Sequence, residues 1–212
     1  MEKIQSLSFK SKINIITFGE FDKMKKINLI KFDHNNPNVL KADRFWSANI
    51  RSCTGGGLVG KNEASGYHII DDVQNFEGIK NVIENITSSV KNPISGIVLG
   101  CKDIKEAPRS MRMFVKIRNA MKRKTPNVSV FQQIKDDWGQ VHYAYNRKED
   151  TWYICCEKIN PKNGGGISVV RGINSFKNFF GNISIAPTDR LFIKGKEVLP
   201  ADCPEIFAKK LT

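Results

Sequence analysis

The chain has 212 residues, of which 40% are hydrophobic and 26% charged, and its formal net charge is +13 at pH 7. This length and apolar content suffice for one sizeable hydrophobic core, which excludes a wholly disordered chain and does not require a second domain. We therefore expect a single domain over residues 1–212, in which residues 1–26 form either a basic N-terminal arm or an edge strand.

Apolar runs predict the strands and amphipathic spacing predicts the helices. In chain order the predicted strands cover 13–18, 27–32, 45–51, 67–71, 94–100, 128–132, 140–146, 151–157, 167–170, 182–186 and 191–194. One helix is predicted from Asn75, a suitable N-cap, and a second over 105–124, with Pro108 in its first turn. Two helices among many strands predict an α+β fold, with a central mixed β-sheet or β-sandwich flanked by a few helices.

The N-terminus lacks an apolar stretch followed by a small-residue cleavage site, so no secretory signal peptide is expected. No segment reaches the ~20 apolar residues that a membrane-spanning helix needs. The protein is therefore expected either in the cytoplasm of the producing cell or outside it by a secretion route that needs no classical signal peptide.

The five cysteines are Cys53, Cys101, Cys155, Cys156 and Cys203. An odd number of scattered cysteines is typical of reduced thiols rather than of a disulfide framework. Cys-x-x-Cys spacing is absent and the chain has only 3 histidines. We therefore predict neither a metal site nor a cofactor.

Cys53 directly precedes Thr54-Gly55-Gly56-Gly57, where consecutive glycines predict that a strand ends or bends. His68 follows on the next predicted strand, close enough across a hairpin to activate the thiol and to donate a proton later. Backbone N–H groups near Thr54 and Gly55 could stabilise an oxyanion. A purely structural role for this pair stays open, because free cysteines are often buried. Cys101 is a second candidate nucleophile, although its apolar neighbours favour a core position.

Residues 45–71 resemble the Cys–His protein glutamine deamidases, a group that includes the chemoreceptor deamidase CheD and the catalytic domain of cytotoxic necrotizing factor. Several members have a Thr at the position of Ser47, six residues before the Cys. The resemblance implies that Cys53 is the nucleophile, His68 the acid–base and Ser47 the residue that orients the imidazole.

The same resemblance implies a β-sandwich or mixed sheet with flanking helices. It also implies a bacterial effector or toxin that deamidates a glutamine side chain of a host protein through a thioester. If an amine replaced water, the same site would perform transglutamination.

The loop sequence also nearly matches the phosphate-binding pattern Gly-x-x-x-x-Gly-Lys-Ser/Thr, in the segment Gly55–Asn62. That pattern requires a helix directly afterwards, whose N-terminal amides hold the phosphate. The β-like sequence that starts at Tyr67 leaves no room for one, so nucleotide binding is not expected here.

The second predicted helix has a basic face opposite its apolar stripe. The basic residues on this face are Lys105, Arg109, Arg112, Lys116 and Arg123. They form either a solvated outer face or a surface for an acidic protein partner, with nucleic acid less favoured. The alternative to an enzyme is therefore a basic binding module without catalysis, and we expect a monomer in either case.

Overall fold

The computed structural model describes residues 11–24, 26–31, 38–70, 76–100, 108–133, 139–159, 162 and 166–208. In chain order its strands are β1 (Lys12–Ile16), β2 (Asn38–Lys41), β3 (Arg44–Ile50), β4 (Thr54–Gly60), β5 (Ala64–Ile69), β6 (Pro93–Gly100), β7 (Val128–Gln133), β8 (Gly139–Asn146), β9 (Thr151–Ile159), β10 (Gly166–Ser168), β11 (Gly181–Ser184), β12 (Arg190–Ile193) and β13 (Lys196–Val198). Its helices are α1 (Phe18–Lys23), α2 (Phe76–Ser88), α3 (Pro108–Lys124) and α4 (Ile173–Phe180).

The strands form two mixed sheets. The first sheet has the order β13-β12-β1-β9-β8-β3, with β10 added on β9, and the second has the order β11-β7-β6-β4-β5-β2. Strand β1 runs parallel to both β9 and β12, and β6 runs parallel to β7, whereas the other paired strands are antiparallel. The predicted α+β fold with mixed sheets is therefore confirmed.

The two sheets face each other across one apolar layer. Alternate side chains of the first sheet, such as Tyr143 and Trp152, meet Ile97, Leu99 and Phe131 of the second sheet in this layer. Removing a large apolar side chain of this kind from water contributes about 1.5–3 kcal/mol. The period-two alternation of the strands thus fixes which side chains lie between the sheets.

The helices cover the outer faces of the sheets. On the second sheet, α2 and α3 pack Val82, Ile117 and Met121 against Leu58 and Tyr67. On the first sheet, the short helix α1 packs Phe21 against Ala144 and Cys155. Among the helices of the described residues, none is long and apolar enough to span a membrane.

Strand β1 occupies an interior position of the first sheet, between β9 and β12. The expectation of an N-terminal arm or edge strand is therefore wrong for Lys12–Ile16. Ile13 and Ile15 are fully buried between the sheets, and this apolar burial outweighs the basic composition of the segment. Residues 1–10 lie outside the described residues.

The glycines after Cys53 form part of β4 rather than a loop, so the predicted strand end is wrong. Strand β4 pairs with β5 on one side and with β6 on the other. Gly56 has φ +142°, and a Cβ there would lie 2.0 Å from the carbonyl oxygen of Ile97. Glycine is required because neighbouring backbone approaches so closely.

The phosphate-binding interpretation fails on the same strand. Residues 61–63 form a short turn that leads from β4 directly into β5, and no helix follows the glycines. The N-terminal helix amides that this motif needs are therefore missing at this position.

Other predicted elements differ from the structure. Within the predicted strand 27–32, the described residues form only an isolated bridge between Leu29 and Trp46. Besides β4, four elements were not predicted, namely α1, α4, β2 and β13. Helix α4 buries Phe176, Phe179 and Phe180 at helical spacing, so this periodicity was present in the sequence. Asn75 and Lys105 lie outside the described residues.

Candidate active site

Cys53 lies in the bend that connects the two sheets. The chain leaves the first sheet at Ile50, bends over residues 51–53 and enters the second sheet at Thr54. Cys53 is half-buried and packs against the apolar layer between the sheets. Its thiol therefore stands at the rim of the sandwich, on the inter-sheet side.

His68 points from β5 into the space between the sheets, where Ser47 of β3 meets it. The Ser47 hydroxyl lies 2.8 Å from Nδ1 of His68 and donates to the carbonyl oxygen of Ile30 over 3.0 Å. A hydroxyl has only one proton, and a carbonyl oxygen can only accept. Ser47 consequently accepts from the Nδ1–H of His68, so the lone pair of the neutral ring is on Nε2.

Burial keeps this imidazole neutral. His68 is 2% exposed, and removal from water lowers its pKa to about 4 because the charged ring loses its solvation. At neutral pH, His68 is thus a neutral base with its Nε2 lone pair directed away from Ser47.

The strand register places Cys53 and His68 on the same side of the second sheet. His68 lies directly opposite Gly55 across the β4–β5 pair, and Cys53 precedes Gly55 by two residues. Cys53 itself lies in the bend, one residue before β4 begins, and packs against the apolar layer between the sheets. The structure therefore joins Ser47 and His68 by a hydrogen bond and places Cys53 at the rim of the same inter-sheet layer.

Contacts from the second sheet and α3 hold the bend in place. The buried Ser110 hydroxyl of α3 donates to the carbonyl oxygen of Ser52. On the other side, a Cβ on Gly100 would lie 2.3 Å from the carbonyl oxygen of Cys53, so only glycine fits beside the bend. Ser110 was missed in the sequence, although it lies one helical turn before the buried Met113 and Phe114.

The two residues expected to form an oxyanion loop lie inside β4. Gly55 pairs with His68 on one side and Leu99 on the other, so the expectation of a loop is wrong for it. The Thr54 side chain is 1% exposed, and its hydroxyl has no hydrogen-bond partner in the described part of the chain. Residues 51–53 lie between β3 and β4, outside both strand ladders.

The other described cysteines lie in the core. Cys155 and Cys156 are at most 1% exposed and point to opposite faces of the first sheet. Burial raises the pKa of Cys155 to about 12 and raises the pKa of Cys156 as well. The Cys203 thiol is also buried, which raises its pKa. Cys101 lies outside the described residues.

A second buried histidine lies on the outer face of the first sheet. Nε2 of His142 is 2.8 Å from a carboxylate oxygen of Glu157, which also accepts from the side-chain amide of Gln140. The backbone N–H of Asn49 donates to Nδ1 of His142 over 3.4 Å. Burial lowers the pKa of His142, while its bond to Glu157 acts in the opposite direction.

Asn49 lies in an irregularity of β3 that matters for the site. Between Ser47 and Ile50 the register with β8 shifts, and Asn49 has φ +61°. A bulge of this kind inserts one residue, so Ile50 returns to the inter-sheet layer before the chain turns towards Cys53. His142 was not singled out from the sequence because neither its partner nor its burial is visible there.

The basic residues of α3 form an exposed face, as its amphipathic pattern predicted. Arg109, Arg112 and Arg123 are exposed and Lys116 is half-buried, whereas Phe114, Ile117 and Met121 face the second sheet. Of this face, Arg109 directly precedes Ser110, whose side chain bonds to Ser52 in the Cys53 bend.

Comparison with known proteins gives no match, either to a family model or to a curated protein. Among the described residues, no cluster of His, Cys, Asp and Glu side chains has the composition to hold a metal ion. The functional assignment must therefore come from the geometry of Ser47, Cys53 and His68.

Proposed function

We propose that the protein is a Cys–His amidohydrolase that deamidates a glutamine side chain of a protein substrate. The observation that carries the proposal is the hydrogen bond between Ser47 and Nδ1 of His68, on the same face of the sheet as the half-buried Cys53 thiol. This bond fixes the tautomer in which Nε2 can accept a proton. The resemblance of residues 45–71 to glutamine deamidases supports the choice of an amide substrate.

In the first half of the reaction, the Cys53 thiol loses its proton to Nε2 of His68 as the sulfur attacks the γ-carboxamide carbon of glutamine. Backbone N–H groups near Cys53 stabilise the oxyanion of the tetrahedral intermediate. His68 then gives the proton to the departing nitrogen, and ammonia leaves a thioester on Cys53.

In the second half, His68 accepts a proton from water as the water oxygen attacks the thioester carbon. The intermediate collapses to glutamate, and the proton returns to the Cys53 sulfur. An amine in place of water would give a transglutaminated product from the same thioester.

The setting follows from the same resemblance. Toxin and effector members of the group act on proteins of a host cell, so we propose a bacterial effector with a host protein as substrate. The excess of positive charge, +13 over the chain, favours a substrate with an acidic surface.

Mass spectrometry of a cell-extract proteome tests the activity directly. The wild-type protein in H₂¹⁸O should convert particular glutamines to glutamate, a gain of about one dalton from the exchange alone, plus one ¹⁸O from the water that opens the thioester. The Cys53→Ala variant should produce none of these sites, and Cys155→Ala should produce all of them. A binding module without catalysis would leave the same proteome unchanged with all three proteins.

A further inference from the structure

Helices α2 and α3 leave a groove between them on the side that faces away from the second sheet. This α2–α3 groove has a volume of about 340 Å³. The residues that line it are Ile79, Lys80, Ile83, Glu84, Lys116, Asn119 and Arg123.

The floor of the groove is apolar. Ile79 and Ile83 lie one helical turn apart on α2, are only half-buried and pack on the apolar cluster beneath the helices. Side chains at this spacing present a continuous hydrophobic strip. Such a strip can accept apolar side chains of a partner.

The rim of the groove is mainly basic. Among the described residues that line it, Lys80, Lys116 and Arg123 are basic and only Glu84 is acidic. Lys80 lies 4.0 Å from Glu77 in an exposed pair, which water screens strongly. Helix α3 adds to the positive potential because it contains no Asp or Glu along its whole length.

We propose that the α2–α3 groove binds an acidic amphipathic helix of a partner protein. An apolar strip between basic side chains complements a helix with apolar residues on one face and carboxylates beside them. Nucleic acid fits less well, because single strands bind through aromatic stacking, and none of the described residues that line the groove is aromatic. Glu84 would also repel phosphates.

The groove also has a defined position relative to Cys53. Ser110, near the start of α3, contacts the bend at Ser52. Lys116 and Arg123 lie six and thirteen residues further along α3, which corresponds to about 9 and 20 Å along the helix axis. We infer that the bound helix belongs to the protein substrate, a step that rests on the proposed function, whereas helix binding itself does not.

Fluorescence anisotropy with a labelled synthetic peptide tests helix binding. The probe has leucines at i, i+3, i+4 and i+7 and glutamates on its other face, and a scrambled peptide of the same composition is its control. The protein carries Cys53→Ala, so that binding is measured apart from chemistry. The amphipathic peptide should bind more tightly than the scrambled one, and added salt should weaken its binding.

Two double variants locate the binding site, and a third with the same change of charge elsewhere is the control. The pair Lys116→Glu and Arg123→Glu should weaken binding at least about tenfold through charge reversal. Lys148→Glu with Lys196→Glu makes the same change of charge at exposed positions elsewhere and should leave affinity within about twofold. Ile79→Ser with Ile83→Ser should also weaken binding, and a melting curve shows that this variant is folded.

Three results would overturn the groove proposal. The first is an affinity for the scrambled peptide equal to that for the amphipathic peptide, and the second is an equal loss of affinity in the two charge-reversal variants. The third is a single-stranded RNA that binds more tightly than the peptide and whose binding Ile79→Ser with Ile83→Ser does not change.

If the peptide binds but no glutamine is converted, the groove proposal is supported and the deamidase proposal fails. If conversion occurs and Lys116→Glu with Arg123→Glu leaves KM for the protein substrate unchanged, the substrate assignment of the groove is wrong.

Discussion

His68 and His142 are both buried and both bonded to β3, but His68 approaches β3 from the second sheet and His142 lies on the outer face of the first sheet. His68 bonds to a neutral hydroxyl, Ser47, near a half-buried thiol at the rim of the sandwich. His142 bonds to a carboxylate, Glu157, and contacts the rings of Phe18 and Phe21 beneath α1. The two histidines are therefore similarly buried but have different hydrogen-bond partners.

The partner of each ring explains the difference. A carboxylate attracts an imidazolium, so Glu157 opposes the effect of burial on the pKa of His142. Ser47 provides no such charge, and burial alone sets the pKa of His68 at about 4. Ser47 thus fixes the tautomer of a neutral ring beside the Cys53 bend, whereas Glu157 holds the His142 ring beneath α1.

Removing the thiol near His68 or the thiol near His142 should give the largest difference in deamidation rate. Cys53→Ala should lower the deamidation rate by about 10⁴-fold or more, since the nucleophile is lost. Cys155 lies directly opposite His142 across β8 and β9, but it is fully buried, and Cys155→Ala should leave the rate almost unchanged. Rates are measured by ¹⁸O incorporation on the same substrate, and equal loss in both variants would contradict the contrast.

The two histidines should separate activity from stability. His68→Ala should reduce the rate by about 10²–10⁴-fold, the usual contribution of a general acid–base. His142→Ala should lower the free energy of unfolding by about 3–5 kcal/mol, because Glu157 is left as a buried carboxylate without its ring partner. Urea unfolding and single-turnover rates on the folded fraction measure both, and a rate loss in His142→Ala equal to that in His68→Ala would remove the distinction.

The sequence singled out Ser47, Cys53 and His68 but not the His142–Glu157 pair. Ser47, Cys53 and His68 were predicted because their spacing along the chain follows a known pattern, and local spacing survives in the fold as a bend and a hairpin. The His142–Glu157 pair depends on the register between β8 and β9, which separate elements of the chain determine together. Register of this kind is not readable from one sequence.

The fold, too, was predicted from the sequence where it depends on local pattern and not where it depends on long-range pairing. The apolar runs predicted most strands of both sheets and the two long helices. The glycines of β4 misled the prediction, because glycine permits a turn and also permits close packing of strands, and only the neighbouring Ile97 backbone decides between them. The interior place of β1 between β9 and β12 results from long-range parallel pairing, for which the local sequence has no signal.

Ser47 should have an intermediate effect on the rate. Ser47→Ala removes the acceptor of the Nδ1–H of His68, so the ring can adopt either tautomer. It also leaves a buried donor without a partner, which should lower the free energy of unfolding by about 1–3 kcal/mol. We expect a loss of about tenfold or more in kcat, with KM little changed. Ser47→Thr retains the hydroxyl and should recover much of the rate, so an equal loss in both variants would argue against the orienting role.

The smallest expected effect is a pH dependence of stability, in which His68 and Asp189 act in opposite directions. The pKa of His68 is lower in the folded state, so unfolding takes up a proton, and His68 lowers stability as pH falls from about 6.5 to 4, by up to about 3 kcal/mol. Burial raises the pKa of Asp189 to about 7, so Asp189 lowers stability as pH rises from about 4 to 7.

Variants separate these two contributions. Relative to wild type, His68→Asn should gain stability on acidification below about pH 6.5, and Asp189→Asn should gain stability as pH rises towards 7. Urea unfolding at several pH values measures both differences. If the difference in unfolding free energy between His68→Asn and wild type does not change with pH, burial does not keep the His68 ring neutral.

The central claim is that His68 activates Cys53, and the rate at which iodoacetamide alkylates each thiol tests it most directly. Peptide mapping of the wild-type protein at neutral pH should show Cys53 modified well before Cys155, Cys156 and Cys203, and His68→Ala should slow the modification of Cys53 while His142→Ala does not. If Cys53 reacts at the same rate with and without the His68 ring, the two side chains do not act together and the enzyme proposal is wrong.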